Sequence, residues 1–172
     1  MKIKTRELVV FALLGAILAV SQIVLNFIPN VELVSTFIII FSLIFGYKTQ
    51  YSIFVFNIIM GILYGFGVWI IGYFIIWPSL SIITVLLKNK LIDNYLKMSI
   101  FCGAFGMIFG ALYAIPYIVV NPYYALTYWI SGLPYDAVHM LGNYFIMLLL
   151  GEVIYKTVCK LKHSSSLVKV NN

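Results

Sequence analysis

The 172-residue sequence has little charge: Asp, Glu, Lys and Arg make up 9% of it, whereas hydrophobic residues make up 63%. About a quarter of the residues of a soluble domain are charged, so this composition excludes an ordinary water-soluble protein. A helix that crosses the hydrocarbon core of a membrane needs about 20 mostly apolar residues. The composition therefore predicts an integral membrane protein, and its length leaves no space for a separate soluble domain.

The sequence also lacks the short motifs of several enzyme classes. It has no Gly-rich P-loop, which excludes ATP hydrolysis of the usual kind by this chain. Gly-x-Ser-x-Gly, His-Glu-x-x-His and Cys-x-x-Cys are missing too, which disfavours an intramembrane hydrolase or metalloprotease. The two cysteines, Cys102 and Cys159, have no second Cys or His at ligand spacing, so we predict neither a disulfide nor a metal site. We expect no catalysis and no cofactor in this chain.

Apolar runs separated by polar and turn-forming residues predict an all-α integral membrane protein with six transmembrane helices. We place the spans at about residues 7–28, 33–45, 51–68, 71–87, 98–120 and 135–158. Residues 1–160 then form a single membrane domain, and residues 161–172 a polar tail. The second span is short, and it crosses a bilayer only if it tilts or if protein shields its ends. The first apolar run is long enough to be a retained helix rather than a signal peptide.

The basic residues are predicted to lie on one side of the membrane. With six spans, all 11 Lys and Arg residues precede the first span, lie in the second or fourth connection, or lie at the end of the last span and beyond it. The other three connections contain none. The positive-inside rule then places both termini in the cytoplasm. Because these charges are scattered between apolar spans, we do not expect nucleic acid as a partner.

A polar and turn-rich stretch from Gly132 to Asn143 leads into the last span. Asp136, His139 and Asn143 recur there at i, i+3 and i+7, which places their side chains on one helix face. Ionisable side chains in a membrane helix are costly and usually face a cavity or a bundle interior, which favours a binding or transport site. The alternative is structural: Asp136 caps the helix and His139 donates to a neighbouring carbonyl.

The connections without basic residues carry aromatic and polar side chains. Aromatic walls with a few polar groups are typical of a small-molecule pocket, but interfacial belts have a similar composition. Grouped with Asp136 and His139, these residues favour a pocket that opens to the outside. The candidates are Asn30, Glu32, Trp69, Tyr73 and Trp129.

The first span carries small residues on one face. Ala12, Gly15, Ala16 and Ala19 follow an i, i+3, i+4, i+7 pattern, which allows another helix to approach closely. That helix belongs either to a partner protein or to the chain's own bundle, and the pattern does not distinguish the two.

Several motifs together resemble those of one known family. They are Ala12-x-x-x-Ala16, Pro29-Asn-Val-Glu-Leu-Val34, Tyr64-Gly-Phe-Gly67, Trp77-Pro78 and Ser131-Gly-Leu-Pro-Tyr-Asp136-x-x-His139-x-x-x-Asn143. With six short spans, they resemble the substrate-binding S components of energy-coupling factor (ECF) transporters over nearly the whole chain.

The resemblance implies a multi-pass protein of a prokaryotic plasma membrane that captures a vitamin or similar micronutrient outside the cell. Its partners would be a transmembrane coupling subunit and two ATP-binding subunits, which use the ATP. By the family pattern, Ala12 and Ala16 would meet the coupling subunit. Asp136, His139 and Asn143 match the family motif directly and would bind substrate. The resemblance does not identify the vitamin, because one fold serves unrelated ligands.

Two other functions remain as alternatives. The first is a secondary transporter or channel in which Asp136 and His139 relay protons or ions, although no convincing inverted repeat supports one. The second is a membrane enzyme in which the same two residues form an acid–base pair, although no recognised catalytic motif accompanies them.

Overall fold

The computed structural model describes residues 4–164, and this part of the chain is helical without any β-strand. An all-α fold is therefore confirmed. The helices are α1 (Thr5–Leu25), α2 (Val34–Phe45), α3 (Thr49–Tyr64), α4 (Val68–Leu86), the single turn α5 (Lys88–Leu91), α6 (Tyr95–Val120) and α7 (Pro122–Ser164), with a 3₁₀ turn at Gly46–Lys48 between α2 and α3.

Five helical stretches of the described chain are long and apolar enough to cross a membrane. One of them, Val34–Tyr64, combines α2, the 3₁₀ turn and α3, which were predicted as two separate spans. Gly46 interrupts this stretch with a φ of 62°, a conformation that favours glycine. Phe11 of α1 packs against both Phe45 and Tyr51, on either side of the turn. The apolar helices fit a transmembrane protein, and six crossings stay a prediction.

The largest difference from the predicted helix boundaries lies before the last span. Residues 121–134 were predicted as a loop, but α7 begins at Pro122 and continues for 43 residues through Pro134. Asn121 starts the helix, because its side-chain Oδ1 accepts from the backbone N–H groups of Tyr123 and Tyr124. Proline is well placed at the first position of a helix, where its missing N–H costs nothing. A helix of this length extends for about 65 Å, roughly twice the hydrocarbon thickness.

Helix α2 forms the centre of the fold. Ten of its 12 residues are buried, and it contacts α4 and α7 along its length. A helix that is apolar on every side lies in a protein interior or in the membrane, and here other helices surround it. This enclosure explains how a segment too short for an exposed membrane span is accommodated.

The described basic residues gather at one end of the helix bundle. Glu7 of α1 accepts a hydrogen bond from Lys48 in the α2–α3 turn, with 2.6 Å between Nζ and Oε1. Lys162 of α7 donates to the Ile44 carbonyl at 3.0 Å. We call this the lysine end; its described Lys and Arg residues are Lys4, Arg6, Lys48, Lys88, Lys90, Lys97, Lys156, Lys160 and Lys162. Lys2 and Lys169 lie outside the described residues. We call the opposite end, where α1 joins α2 and α6 joins α7, the aromatic end.

Helices α6 and α7 form the most extensive helix pair and run antiparallel. Three glycines on α6 face α7 at i, i+3 and i+7: Gly103, Gly106 and Gly110. A Cβ at position 106 would lie 2.8 Å from the His139 carbonyl oxygen, and a Cβ at position 103 would lie 3.2 Å from that of Met140. The glycines thus bring the backbones of the two helices close together.

This close approach yields a stability prediction. We expect Gly106→Ala to lower the free energy of unfolding by about 1–3 kcal/mol, because the added methyl group meets backbone that cannot rotate away. Gly132→Ala is the control: the same methyl group there has no described atom within 4 Å, and alanine favours the helix. Thermal unfolding in detergent measures both variants, and equal melting temperatures would contradict the packing of α6 on α7.

Candidate functional site

Two adjoining cavities open at the aromatic end. The larger has a volume of about 440 Å³ and the smaller about 170 Å³. Asn30, Tyr73 and Phe109 line both, so the two cavities lie side by side. The larger volume falls within the range of about 300–1,000 Å³ that is typical of small-molecule sites. The other residues of the larger cavity are Gly110, Tyr113, Tyr128, Ser131, Gly132, Tyr135 and Asp136.

Asp136 projects from α7 at the wall of the larger cavity. Its side chain is buried, with a residue exposure of 5%, and its Oδ1 accepts from the Gly110 backbone N–H at 3.0 Å. Within residues 4–164 its other oxygen, Oδ2, has no hydrogen-bond partner. Gly110 is required for this arrangement, because a Cβ there would overlap the carboxylate. A buried carboxylate oxygen without a donor is energetically unfavourable, so a ligand N–H group that reached this atom from the cavity would satisfy it.

His139 lies one turn further along α7 and contacts the α1–α2 loop. Its Nε2 is 3.1 Å from Oε1 of Glu32, and its ring packs edge-on against Phe109 with 4.8 Å between ring centres. The other oxygen of Glu32 accepts from the Ser35 backbone N–H at the start of α2. Glu32 and His139 both line the smaller cavity.

The charge state of Glu32 follows from these contacts. Burial raises the pKa of Glu32, but the hydrogen bonds from His139 and Ser35 outweigh that effect and hold the pKa below its ordinary value. Glu32 is therefore ionised at neutral pH, and its carboxylate ties the loop to α7.

Asn143 lies deeper in the bundle and is fully buried. It lines neither cavity. Neither of its amide atoms finds a partner among the residues that the structure describes. Its place on the same face as Asp136 and His139 agrees with the helical spacing, but the structure gives it no contact with the cavity.

The aromatic candidates separate into two groups. Tyr73 lines both cavities, and its hydroxyl accepts from Gln22 Nε2 at 2.7 Å. Trp69 packs edge-on against Tyr73 with 5.2 Å between ring centres, outside the cavity walls. Trp129 is 38% exposed and also lies outside these walls. Five of the eight predicted binding residues thus line the cavities: Asn30, Glu32, Tyr73, Asp136 and His139.

The aromatic residues that α6 and α4 contribute to the site, Phe109, Tyr113 and Trp77, were not predicted from the sequence. Phe109 and Tyr113 stack with 5.9 Å between ring centres, and Tyr113 stacks on Tyr128 of α7 at 6.2 Å. Trp77, which was named only as part of the Trp77-Pro78 motif, packs against Phe109 with 5.4 Å between ring centres. The spacing of four between Phe109 and Tyr113 signalled a shared helix face, but any apolar membrane helix offers many such pairs.

The four small residues of α1 do not share one environment. Gly15 and Ala19 are buried within the chain, and a Cβ at position 15 would lie 2.6 Å from the Ser52 carbonyl oxygen of α3. Ala12 is exposed and Ala16 is half-buried. The face therefore packs partly against α3 and leaves Ala12 and the edge of Ala16 accessible.

No protein family, curated protein or solved structure matches this chain. Among the described residues, no group of three or more His, Cys, Asp or Glu side chains is placed to hold a metal ion. The arrangement itself offers hydrogen-bond acceptors, one histidine and aromatic ring faces around an open volume, which is the chemistry of ligand binding.

The contact between Glu32 and His139 can be measured by a double-mutant cycle. We expect Glu32→Ala, His139→Ala and the double variant to give a coupling energy of about 1–3 kcal/mol in unfolding experiments, since a buried hydrogen bond to a charged group has that value. The exposed pair Glu152 and Lys156 is the control, and its coupling should be much smaller because water screens it. Equal coupling energies for the two pairs would contradict a buried hydrogen bond between Glu32 and His139.

Proposed function

We propose that the chain is the membrane-embedded, substrate-binding S component of an ECF-type ABC importer and captures a vitamin-like micronutrient outside the cell. The observation that carries the proposal is the 440 Å³ cavity with a buried, half-satisfied carboxylate in its wall. The sequence motif that resembles S components contributes Asp136 and His139 to the same region. Ligand sites in membrane bundles are typically built this way, from a few polar groups among aromatic walls.

Each part of the site has a role in this proposal. Asp136 accepts a hydrogen bond from the substrate through Oδ2, and the aromatic rings stack on a flat part of it. Glu32 and His139 hold the α1–α2 loop over the smaller cavity. The chain catalyses no reaction of its own.

The distribution of charge supports an orientation. Basic residues favour the cytoplasmic side, and the described ones lie at the lysine end. Six crossings with both termini in the cytoplasm direct the aromatic end and its cavities outward. The site then receives substrate from outside the cell, at the plasma membrane of a prokaryote.

The proposed partners supply energy that this chain does not. The sequence has no P-loop, so a coupling subunit and two ATP-binding subunits drive the inward step. The exposed Ala12 and the edge of Ala16 are the proposed docking surface, and the neighbouring Gly15 packs against α3. The alternative, a proton or ion relay through Asp136 and His139, requires uptake that continues without any ATPase partner.

A thermal-shift screen of the purified protein against vitamins and their precursors tests the binding role. A ligand at a thousandfold excess over its dissociation constant stabilises the fold by about 4 kcal/mol. We expect Asp136→Ala to weaken binding of the hit by about 1–3 kcal/mol, because a buried polar partner is lost. Unchanged affinity would return Asp136 to a structural role in the helix.

The docking surface has its own test. We expect Ala12→Trp or Ala16→Trp to abolish uptake while ligand affinity stays at the wild-type value, because the bulky ring keeps the coupling subunit's helix away. Ile17→Trp is the control: Ile17 is also exposed but points about 100° away from Ala16 around the helix. Loss of ligand affinity in the Ala12 variant, or equal loss of uptake in the Ile17 variant, would contradict the assignment.

A further inference from the structure

From the charges and rings around the larger cavity, we infer that the substrate is a flat, heteroaromatic organic cation whose positive charge lies against Asp136. This inference rests on the proposed function, because it takes the cavity as the substrate site. The sequence motifs do not define the substrate, and the cavity indicates its charge and its shape.

The first observation is an uncompensated carboxylate. Asp136 receives one hydrogen bond, from the Gly110 backbone, and its Oδ2 has no donor within the described chain. A buried carboxylate stays ionised only with opposite charge or several donors around it. A cationic ligand that reaches Oδ2 supplies both the charge and, through an N–H group, the missing hydrogen bond.

The second observation is that no Lys or Arg of residues 4–164 lines this cavity. The described Lys and Arg residues belong to the lysine end, at the opposite side of the bundle. His139 is engaged by Glu32, which provides the second carboxylate of the aromatic end. With two carboxylates and one histidine, this end attracts a positive ligand and repels an anion.

The third observation is the nature of the walls. Five aromatic rings line the larger cavity: Tyr73, Phe109, Tyr113, Tyr128 and Tyr135. Phe109 and Tyr113 are nearly parallel, with 17° between their planes, and Tyr128 is tilted by 26° from Tyr113. Aromatic faces attract cations through their quadrupole and also stack on flat rings. A planar cation gains both the attraction to the ring faces and the stacking, whereas a compact non-planar cation gains only the attraction.

The test compares ring compounds that differ in charge. Isothermal titration calorimetry at pH 7.5 measures the affinity for 1-methylnicotinamide (cation), nicotinamide (neutral) and nicotinate (anion), and for the two-ring pair 1-methylquinolinium and quinoline. Choline serves as a non-planar cation. We expect at least one planar cation to bind at least about tenfold more tightly than its neutral counterpart, since a hydrogen bond or contact to a charged group has a value of that order.

Two variants assign the preference to Asp136. Asp136→Asn removes the charge and keeps the shape, and we expect the ratio of cation to neutral affinity to fall to about one. Gly110→Ala keeps the charge and displaces the carboxylate, so we expect the same ratio to fall as well. The ratio is measured within one protein sample, so partial misfolding of a variant does not change it.

The possible results separate this inference from the proposed function. Equal or tighter binding of the neutral or anionic compound, an unchanged ratio in Asp136→Asn, or no planar cation bound at millimolar concentration would overturn the inference. Choline bound as tightly as the ring cations would overturn its planar part. Tight capture of an uncharged vitamin would overturn it and leave the importer role standing, whereas uptake without ATPase subunits would overturn the role and leave a measured cation preference intact.

Discussion

The close approach of α6 to α7 is the constraint on which the rest of the structure depends. Gly103, Gly106 and Gly110 leave α6 without a side chain at three positions that meet α7. Only this absence allows a backbone N–H of α6 to reach the Asp136 carboxylate. The position of the carboxylate in turn defines the wall of the larger cavity, and His139, one turn further along, meets the loop that follows α1. The hydrogen bonds of the site thus depend on the close packing of the two helix backbones.

Much of the fold follows from local patterns in the sequence. The apolar runs predicted α1, α4 and α6 closely, because each run ends at charged or turn-forming residues that are visible in the chain. The beginning of α7 could not be predicted in the same way. Pro134 suggested a boundary, but in a membrane bundle neighbouring groups satisfy the carbonyl that a proline leaves free. The helix start was set instead by the Asn121 side chain and by Pro122 in the first helical position.

The candidate site was predictable to the extent that it used helical spacing. Asp136 and His139 were placed on one face by the i, i+3 rule, and both line the cavities. The partnership of His139 with Glu32 spans 107 residues of sequence, and no local pattern encodes such a distance. Trp129 was predicted to bind substrate because it is aromatic, but its position on α7 places it outside the cavity walls. Aromatic residues are common in membrane helices, so their identity alone carries little positional information.

The hydrogen bond from Lys162 to the Ile44 carbonyl has a consequence for the order of assembly. The last carbonyls of a helix have no partner within it, and α2 ends at Phe45, directly before the Gly46 turn. Lys162 satisfies one of them, and its ammonium also lies 5.5 Å from the centre of the Phe45 ring. The group that completes α2 therefore comes from a residue 118 positions later in the chain. During synthesis, this contact can form only after the final helix has emerged.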